Sequence, residues 1–445
     1  MSDYCGYITR IKGLTPLPNS DRLLIGRCFD DNVIVDNSYN EGELVVYFMA
    51  GTQIGEEFAE KNNLIRKVDA EGKNVGGYLE KSRAVKAINI RKSKSDGLAL
   101  KLESLEGFTD VSSLKEGDRI EVLNGIVIAQ KYLPKITATS GKSNGKESAV
   151  PRINCPQFAE HIDTAHLDKS LSAFRPGDTV QITVKLDGTS HRTGYFPVTH
   201  VAKRNWLQKL LHLNAKTTTD WEIVNGTRRV VLNSPDGGFY GSNEFRFAMA
   251  DKLKGKLYKG EEVFYEIVGY VGKNGHPIRP TVDNKKLNDK DFVKQYGGVS
   301  EFSYGCKQEN GYTDDPPCCE MYVYRITLTT EDGHVMEYSP DQIKARCEDM
   351  GVKYVPECET FRIPEDCADP GEYVMEKAKQ YYDGPDPIGK THVREGVVLR
   401  IVNRRSFAAY KYKNHSYKVL AGIAVDQLVA SGEINGLSAD TIEEL

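Results

Sequence analysis

The sequence predicts an α+β fold in two parts. A small N-terminal β-barrel module spans residues 1–135, and a larger α+β domain built on antiparallel sheets spans residues 150–445, with a linker at 136–149 between them. Three observations predict this division. The chain before residue 126 breaks into short strand-like runs, residues 44–48 and 87–90 among them, with Gly, Asn and Asp clusters in between. Many short strands with turns at close intervals read most economically as an OB-like barrel. Residues 136–149 are rich in Ser, Thr, Gly and Lys and carry few side chains that could pack, as a linker or exposed loop would. Beyond them, strands mix with helical stretches. Residues 177–184 alternate as a half-buried strand does, and residues 245–254 and 370–382 read as helices.

Composition narrows the function. A net charge of -4 excludes a globally basic, histone-like binder but leaves room for a local basic groove. No uncharged apolar run approaches the roughly 18 residues of a membrane span. The stretch from Met1 to Tyr7 has neither a basic nor an apolar segment, so no signal peptide is expected. Nine cysteines without CxxC spacing fit reduced thiols in the cytoplasm, inside a host cell if the protein is viral. Cys306, Cys318 and Cys319 lie close in sequence, but adjacent cysteines rarely share one metal, so structural thiols are expected there.

The alternating strand delivers Lys185-Leu186-Asp187-Gly188, with Val180, Ile182 and Val184 on one face. Such a lysine sits on rigid backbone, and the following glycine lets a ligand approach closely. A lysine attacks only in its neutral form, which desolvation or neighbouring cations favour. Cations are concentrated near the C-terminus: Arg400, Arg404, Arg405, Lys411, Lys413 and Lys418 occur with no acidic residue among them. Lys411 and Lys413 are two apart, so on a strand they face one side while Tyr410 and Tyr412 face the other.

After KLDG come residues 263–270 (VFYEIVGY), 321–326 (MYVYRI), 394–400 (REGVVLR) and 409–414 (AYKYKN). Each is a short strand with one or two functional polar residues on an apolar background. In that order they resemble the covalent nucleotidyltransferase superfamily of ATP-dependent polynucleotide ligases and mRNA capping enzymes. The resemblance implies an adenylyltransferase (ATP-grasp-like ligase) domain in which Lys185 attacks the α-phosphate of ATP and forms lysyl-AMP. It implies that Gly188 shapes the nucleotide site, and that Glu266 meets the ribose or the waters of a metal. Tyr324 would stack on the base, with Tyr322 as the fallback. Glu395 would organise Mg2+ or Mn2+, and Lys411 and Lys413 would contact the α-phosphate. The family's arginine after the nucleophile has two candidates, Arg204 in an Arg-Asn pair and Arg228 between strands. The shorter spacing favours Arg204, although an insertion around 205–220 leaves that position open. A second insertion, around 275–320, separates Glu266 from Tyr324.

Domain order selects within the superfamily. DNA ligases and capping enzymes place an OB domain after the last lysine motif, whereas here only a short helical tail is expected after Lys413. The OB-like module comes first, which resembles the OB-first branch of RNA ligases, sometimes called family 5 RNA ligases. That resemblance implies a monomeric ATP-dependent RNA ligase, acting away from membranes. It would adenylylate an RNA 5′-phosphate and join it to a 3′-hydroxyl, at nicks or breaks in RNA or an RNA-containing duplex. The alternatives are a DNA ligase, a capping-type nucleotidyltransferase and a non-catalytic nucleic-acid-binding protein.

Overall fold

A computed structural model describes residues 3–134, 155–201 and 217–431. The linker at 136–149, Arg204 and most of the stretch around 205–220 lie outside the described residues. The molecule is α+β, with mostly antiparallel sheets. Among the described residues, no helix is long and apolar enough to cross a membrane.

The N-terminal part is rich in strands, as expected, but their pairings close no barrel among the described residues. Its largest sheet runs in the order Gly97–Lys101, Leu44–Met49, Gly6–Arg10, Arg119–Ile120, all antiparallel. Leu44–Met49 explains why this is layered packing around two cores. The side chains of a strand alternate, and here both faces are buried. Val46 and Phe48 pack with Ile8, Phe58 and Leu105, while Val45 and Tyr47 pack with Ile11, Val33 and Val35. A separate three-stranded sheet, Lys12–Pro16, Leu23–Cys28 and Asp31–Asp36, supplies part of the second core.

Two sheets build the rest. One has the order Ala165–His166, Ala409–Lys413, Gly396–Ile401, Thr179–Lys185, Glu357–Arg362. Only its first pair is parallel. Val180, Ile182, Val397, Leu399 and Ile401 project from it into a core closed by helix Pro370–Lys379 through Val374, Met375 and Ala378. That helix begins where the sequence expected it. Pro370 opens the helix, and the Asp369 carboxylate accepts from the Glu372 N–H. The other sheet orders Val231–Leu232, Thr217–Gly226, Thr189–Val201, Glu261–Gly269, Cys319–Thr329 and Val335–Glu337, with Lys353–Tyr354 parallel beside Cys319–Thr329. The expected helix at 245–254 forms as Glu244–Asp251 and packs Phe245 and Met249 on this sheet. Cys318 and Cys319 lie in the same core. The chain passes from one sheet to the other through Leu186, Asp187 and Gly188.

Buried charge fastens the N-terminal part to the rest. Asp31 accepts from Lys418 at 2.7 Å, Lys169 at 2.9 Å and the Tyr47 hydroxyl at 2.6 Å. Asp96 accepts from Lys418 at 3.2 Å and faces Nδ1 of His415 at 2.8 Å. Burial by itself would raise the Asp31 pKa, but the fields of Lys169 and Lys418 outweigh it and hold the carboxyl well below the usual range. A carboxyl so depressed contributes stability that is fully present above its unfolded pKa of about 4 and is lost as pH falls below that. Lys418→Met leaves two buried carboxylates undercompensated and should cost about 2–4 kcal/mol in chemical denaturation near neutral pH. The gap between variant and parent should narrow as pH falls below about 4.

Candidate active site

Three strands of the five-stranded sheet bring the sequence motifs into rows. Lys185 pairs with Gly396, which pairs with Lys413. The row beneath is Thr183, Val398 and Lys411. Glu395, one residue before its strand, lies between the two lysines of the first row. Its Oε2 is 3.0 Å from Lys185 Nζ and its Oε1 is 2.9 Å from Lys413 Nζ. The carboxylate is 2% exposed. Burial alone would raise its pKa, yet Lys185 and Lys413 hold it below its ordinary value. Gly396 has φ 152 and permits this approach, since a Cβ there would stand 2.1 Å from the Tyr412 carbonyl oxygen. Lys411 is half-buried, and burial together with the charges of Lys413 and Lys185 pushes its pKa down to about 7. Tyr410 and Tyr412 turn to the opposite face, where Tyr410 packs on Phe174, as the spacing of two requires.

The KLDG turn forms the seam between the sheets and is held from several sides. Arg279 Nε lies 2.7 Å from Asp187 Oδ1. The Asp187 N–H donates to the Tyr304 hydroxyl at 2.7 Å. Gly188 N–H donates to Glu266 Oε1 at 3.2 Å, and the Ser190 hydroxyl donates to Oε2 at 3.1 Å. A Cβ on Gly188 would sit 2.2 Å from the Ile267 carbonyl oxygen, so the turn accepts only glycine at this height. Burial pushes the Glu266 pKa up to about 7, with Glu395 adding to the rise and Lys185 opposing it.

Between the sheets lies a cavity lined by Lys185, Ser190, Glu266, Arg228, Tyr324 and Val398, with Gln181 and Arg400 farther along. Tyr324 lines it from a β-bulge in Cys319–Thr329 and meets His161 edge-on at 5.7 Å. Tyr322, the fallback, is 6% exposed and packs in the core, with Lys353 over its ring. Arg228 also lines the cavity, 3.5 Å from Asp163. Arg204 lies outside the described residues, so of the two candidate arginines only Arg228 has a described position.

The C-terminal cations do not act as one patch. Arg404 is bound to Asp178, with Nε 2.9 Å from Oδ1, and Lys418 belongs to the Asp31–Asp96 junction. Lys411 and Lys413 remain beside Lys185. Sequence reasoning missed Arg279 and Tyr304 as parts of the site. Both come from the stretch around 275–320, which reads as an insertion, and neither carries a local signal, because their partner Asp187 is about a hundred residues away.

The family model described as RNA ligase matches residues 178–420. No curated protein matches the chain. Solved structures do. A mutant of Naegleria gruberi RNA ligase with ATP and Mn aligns over 93% of this chain and 98% of its own, at 15% identity and a TM-score of 0.56. The same enzyme with PPi aligns over 93% of this chain and 97% of its own, at 17% identity and a TM-score of 0.56. Another mutant, with AMP and Mn, has 15% identity and a TM-score of 0.56 over 93% of this chain and 98% of its own. Identities this low show a shared fold. The family model spans more than half the sequence and covers every strand of the Lys185–Gly396–Lys413 row, and on that ground the chain belongs to the RNA ligase family.

Proposed function

We propose that this RNA ligase uses ATP and works through lysyl-AMP. The observation that supports this most directly is the row of Lys185, Glu395 and Lys413, with Lys411 behind it. Nζ of Lys185 attacks the α-phosphorus of ATP. A P–N bond forms as the bond to the bridging oxygen breaks, pyrophosphate leaves, and the amine gives up its proton. AMP then passes to an RNA 5′-phosphate, which frees Lys185. A 3′-hydroxyl attacks that phosphate, closes the phosphodiester and expels AMP. Lys411 and Lys413 offset the charge that gathers on the α-phosphate. Tyr324 stacks on the base, Gly188 lets the nucleotide approach the turn, and Arg228 or Arg204 serves the ribose and phosphate.

Naegleria gruberi RNA ligase was solved with ATP and Mn, and the donors here suit such an ion. Among the described residues, no group of three or more His, Cys, Asp or Glu side chains is arranged to hold a metal ion without other donors. Glu395 and Glu266 are neighbours in the site, and Mg2+-type ions are commonly held by one or two carboxylates with water and phosphate oxygens. Glu395 and Glu266 would hold the ion, directly or through water, and when bound it would reduce charge repulsion at the triphosphate. The N-terminal part, residues 1–135, is the nucleic-acid-binding element, an OB-like module in this reading, and the substrate is a nick or break in duplex with RNA at the 3′-hydroxyl side.

Incubation with α-labelled ATP and a divalent cation, followed by denaturation, should leave label on the protein. It should be absent in Lys185→Ala and removed by pyrophosphate. Label from GTP alone would instead indicate capping chemistry. Nicked duplexes with RNA or DNA in each strand should be sealed best with RNA at the 3′-hydroxyl, and equal sealing of all-DNA nicks would reject the RNA preference. Lys411 is partly neutral near pH 7.5, and a bound triphosphate would push its pKa back up. ATP binding there should take up protons, seen by calorimetry in buffers of different ionisation enthalpy, and the uptake should fall in Lys411→Met.

A further inference from the structure

The strand rows continue past the lysines. Below Thr183–Val398–Lys411 lies a third row, Gln181–Arg400–Ala409. It is four residues from the Lys185 row, about 13 Å along the strands. Gln181, Arg400 and Ala409 all line the cavity that holds Lys185. A nucleotide with its phosphate at Lys185 and its sugar and base laid down the strands passes over Thr183 and Val398, and the base edge points toward this row.

Arg400 is 9% exposed and only partly satisfied. Its Nη2 donates to the Tyr338 carbonyl at 2.9 Å and lies 3.5 Å from Glu337. Its guanidinium also lies over the Phe407 ring, 5.2 Å from the centroid. Arg325 also lies over that ring, 4.5 Å from its centroid, and is held by the same Glu337. Arg400 is anchored through Nη2 alone. Nε and Nη1 are buried and have no hydrogen-bond partner. Unmet buried donors of a cation are costly, and native structures rarely leave them without a purpose. Beside Arg400, Gln181 is oriented. Its Nε2 donates to Glu357 at 2.8 Å, and its Oε1 accepts from the Tyr354 hydroxyl at 2.9 Å, which leaves a second lone pair on that oxygen.

We propose that Arg400 reads the nucleotide base: its free Nε and Nη1 N–H groups donate to a ring nitrogen of adenine, while Gln181 Oε1 accepts from the exocyclic amine. This deepens the lysyl-AMP reading and rests on it for the placement of the phosphate. Adenine presents an acceptor nitrogen beside an amine. Guanine presents a carbonyl in place of that amine on either edge, and on the edge carrying N1 an N–H in place of the acceptor, so the pair of donor and acceptor fits adenine and opposes guanine. A site built to hydrogen-bond its ligand rejects an analogue that lacks the partner far more strongly than an apolar pocket would.

The test measures the affinities of ATP and of 1-deaza-, 3-deaza- and 7-deaza-ATP in Lys185→Ala, where no adduct forms, so it reads the base contact separately from the covalent step. Either 1-deaza- or 7-deaza-ATP, which lack a ring nitrogen beside the amine, should bind about tenfold or more weaker than ATP, the loss of a charge-assisted hydrogen bond, and 3-deaza-ATP should bind like ATP. In Arg400→Met that analogue and ATP should bind alike. Arg400→Lys keeps the charge but not the planar fork, and it should also lose the discrimination. Equal affinities for ATP, 1-deaza-ATP and 7-deaza-ATP in the parent, or a penalty confined to 3-deaza-ATP, would overturn the proposal. So would the same deaza penalty in parent and Arg400 variants, because a purely structural Arg400 weakens every nucleotide alike. Failure of the lysyl-AMP reading shows elsewhere, as absent label from ATP in the unsubstituted enzyme.

Discussion

One buried carboxylate organises the functional half of the molecule. Glu395 is almost wholly removed from water, and an isolated carboxylate in that position would be strongly disfavoured. It is tolerated because Lys185 and Lys413 each place an ammonium within 3.0 Å of one of its oxygens. That arrangement needs three strands in register, Thr179–Lys185, Gly396–Ile401 and Ala409–Lys413. A slip of one residue in Ala409–Lys413 would turn Lys411 and Lys413 to the Tyr410 face and leave Glu395 with Lys185 alone. The pairing that compensates a charge therefore also sets the geometry of the site.

The second constraint is the turn that joins the sheets. KLDG must leave one sheet and enter the other while it keeps Lys185 pointed into the cleft. Glycine at 188 lets the backbone pass against the Ile267 carbonyl, and Glu266 takes the Gly188 N–H. Arg279 and Tyr304 hold Asp187 from the opposite side. The stretch between Glu266 and Tyr324 thus has a structural reason for its length: it wraps back to brace the turn that follows Lys185.

Charge is used differently at the junction with the N-terminal part. Asp31 and Asp96 meet Lys169, His415 and Lys418 in a buried network, so the helix that follows the last lysine motif is fastened to the first part of the chain. The tail that looks like a simple helical end is in fact an element of the interface. Its cation Lys418 is committed to that interface and stands apart from Lys411 and Lys413.

Much of the site was legible because local pattern carried it. The alternation around Ile182 marks a strand that ends at Lys185, the spacing of Lys411 and Lys413 puts both on one face, and Pro370 with Asp369 announces a helix start. These are period and capping signals within a few residues. The barrel expected at the N-terminus was not legible in this way. Strand-like runs in sequence do not say which edges meet, and Leu44–Met49 is buried on both faces between two cores. The sequence by itself determined which strands carry the motif residues and in what order. Only the tertiary structure decided which of six C-terminal cations face Lys185, that Arg279 and Tyr304 serve the turn, and that Arg228 and Arg400 line the cavity. Those outcomes rest on ion pairs and strand registers between residues often more than a hundred positions apart, and no local period encodes them.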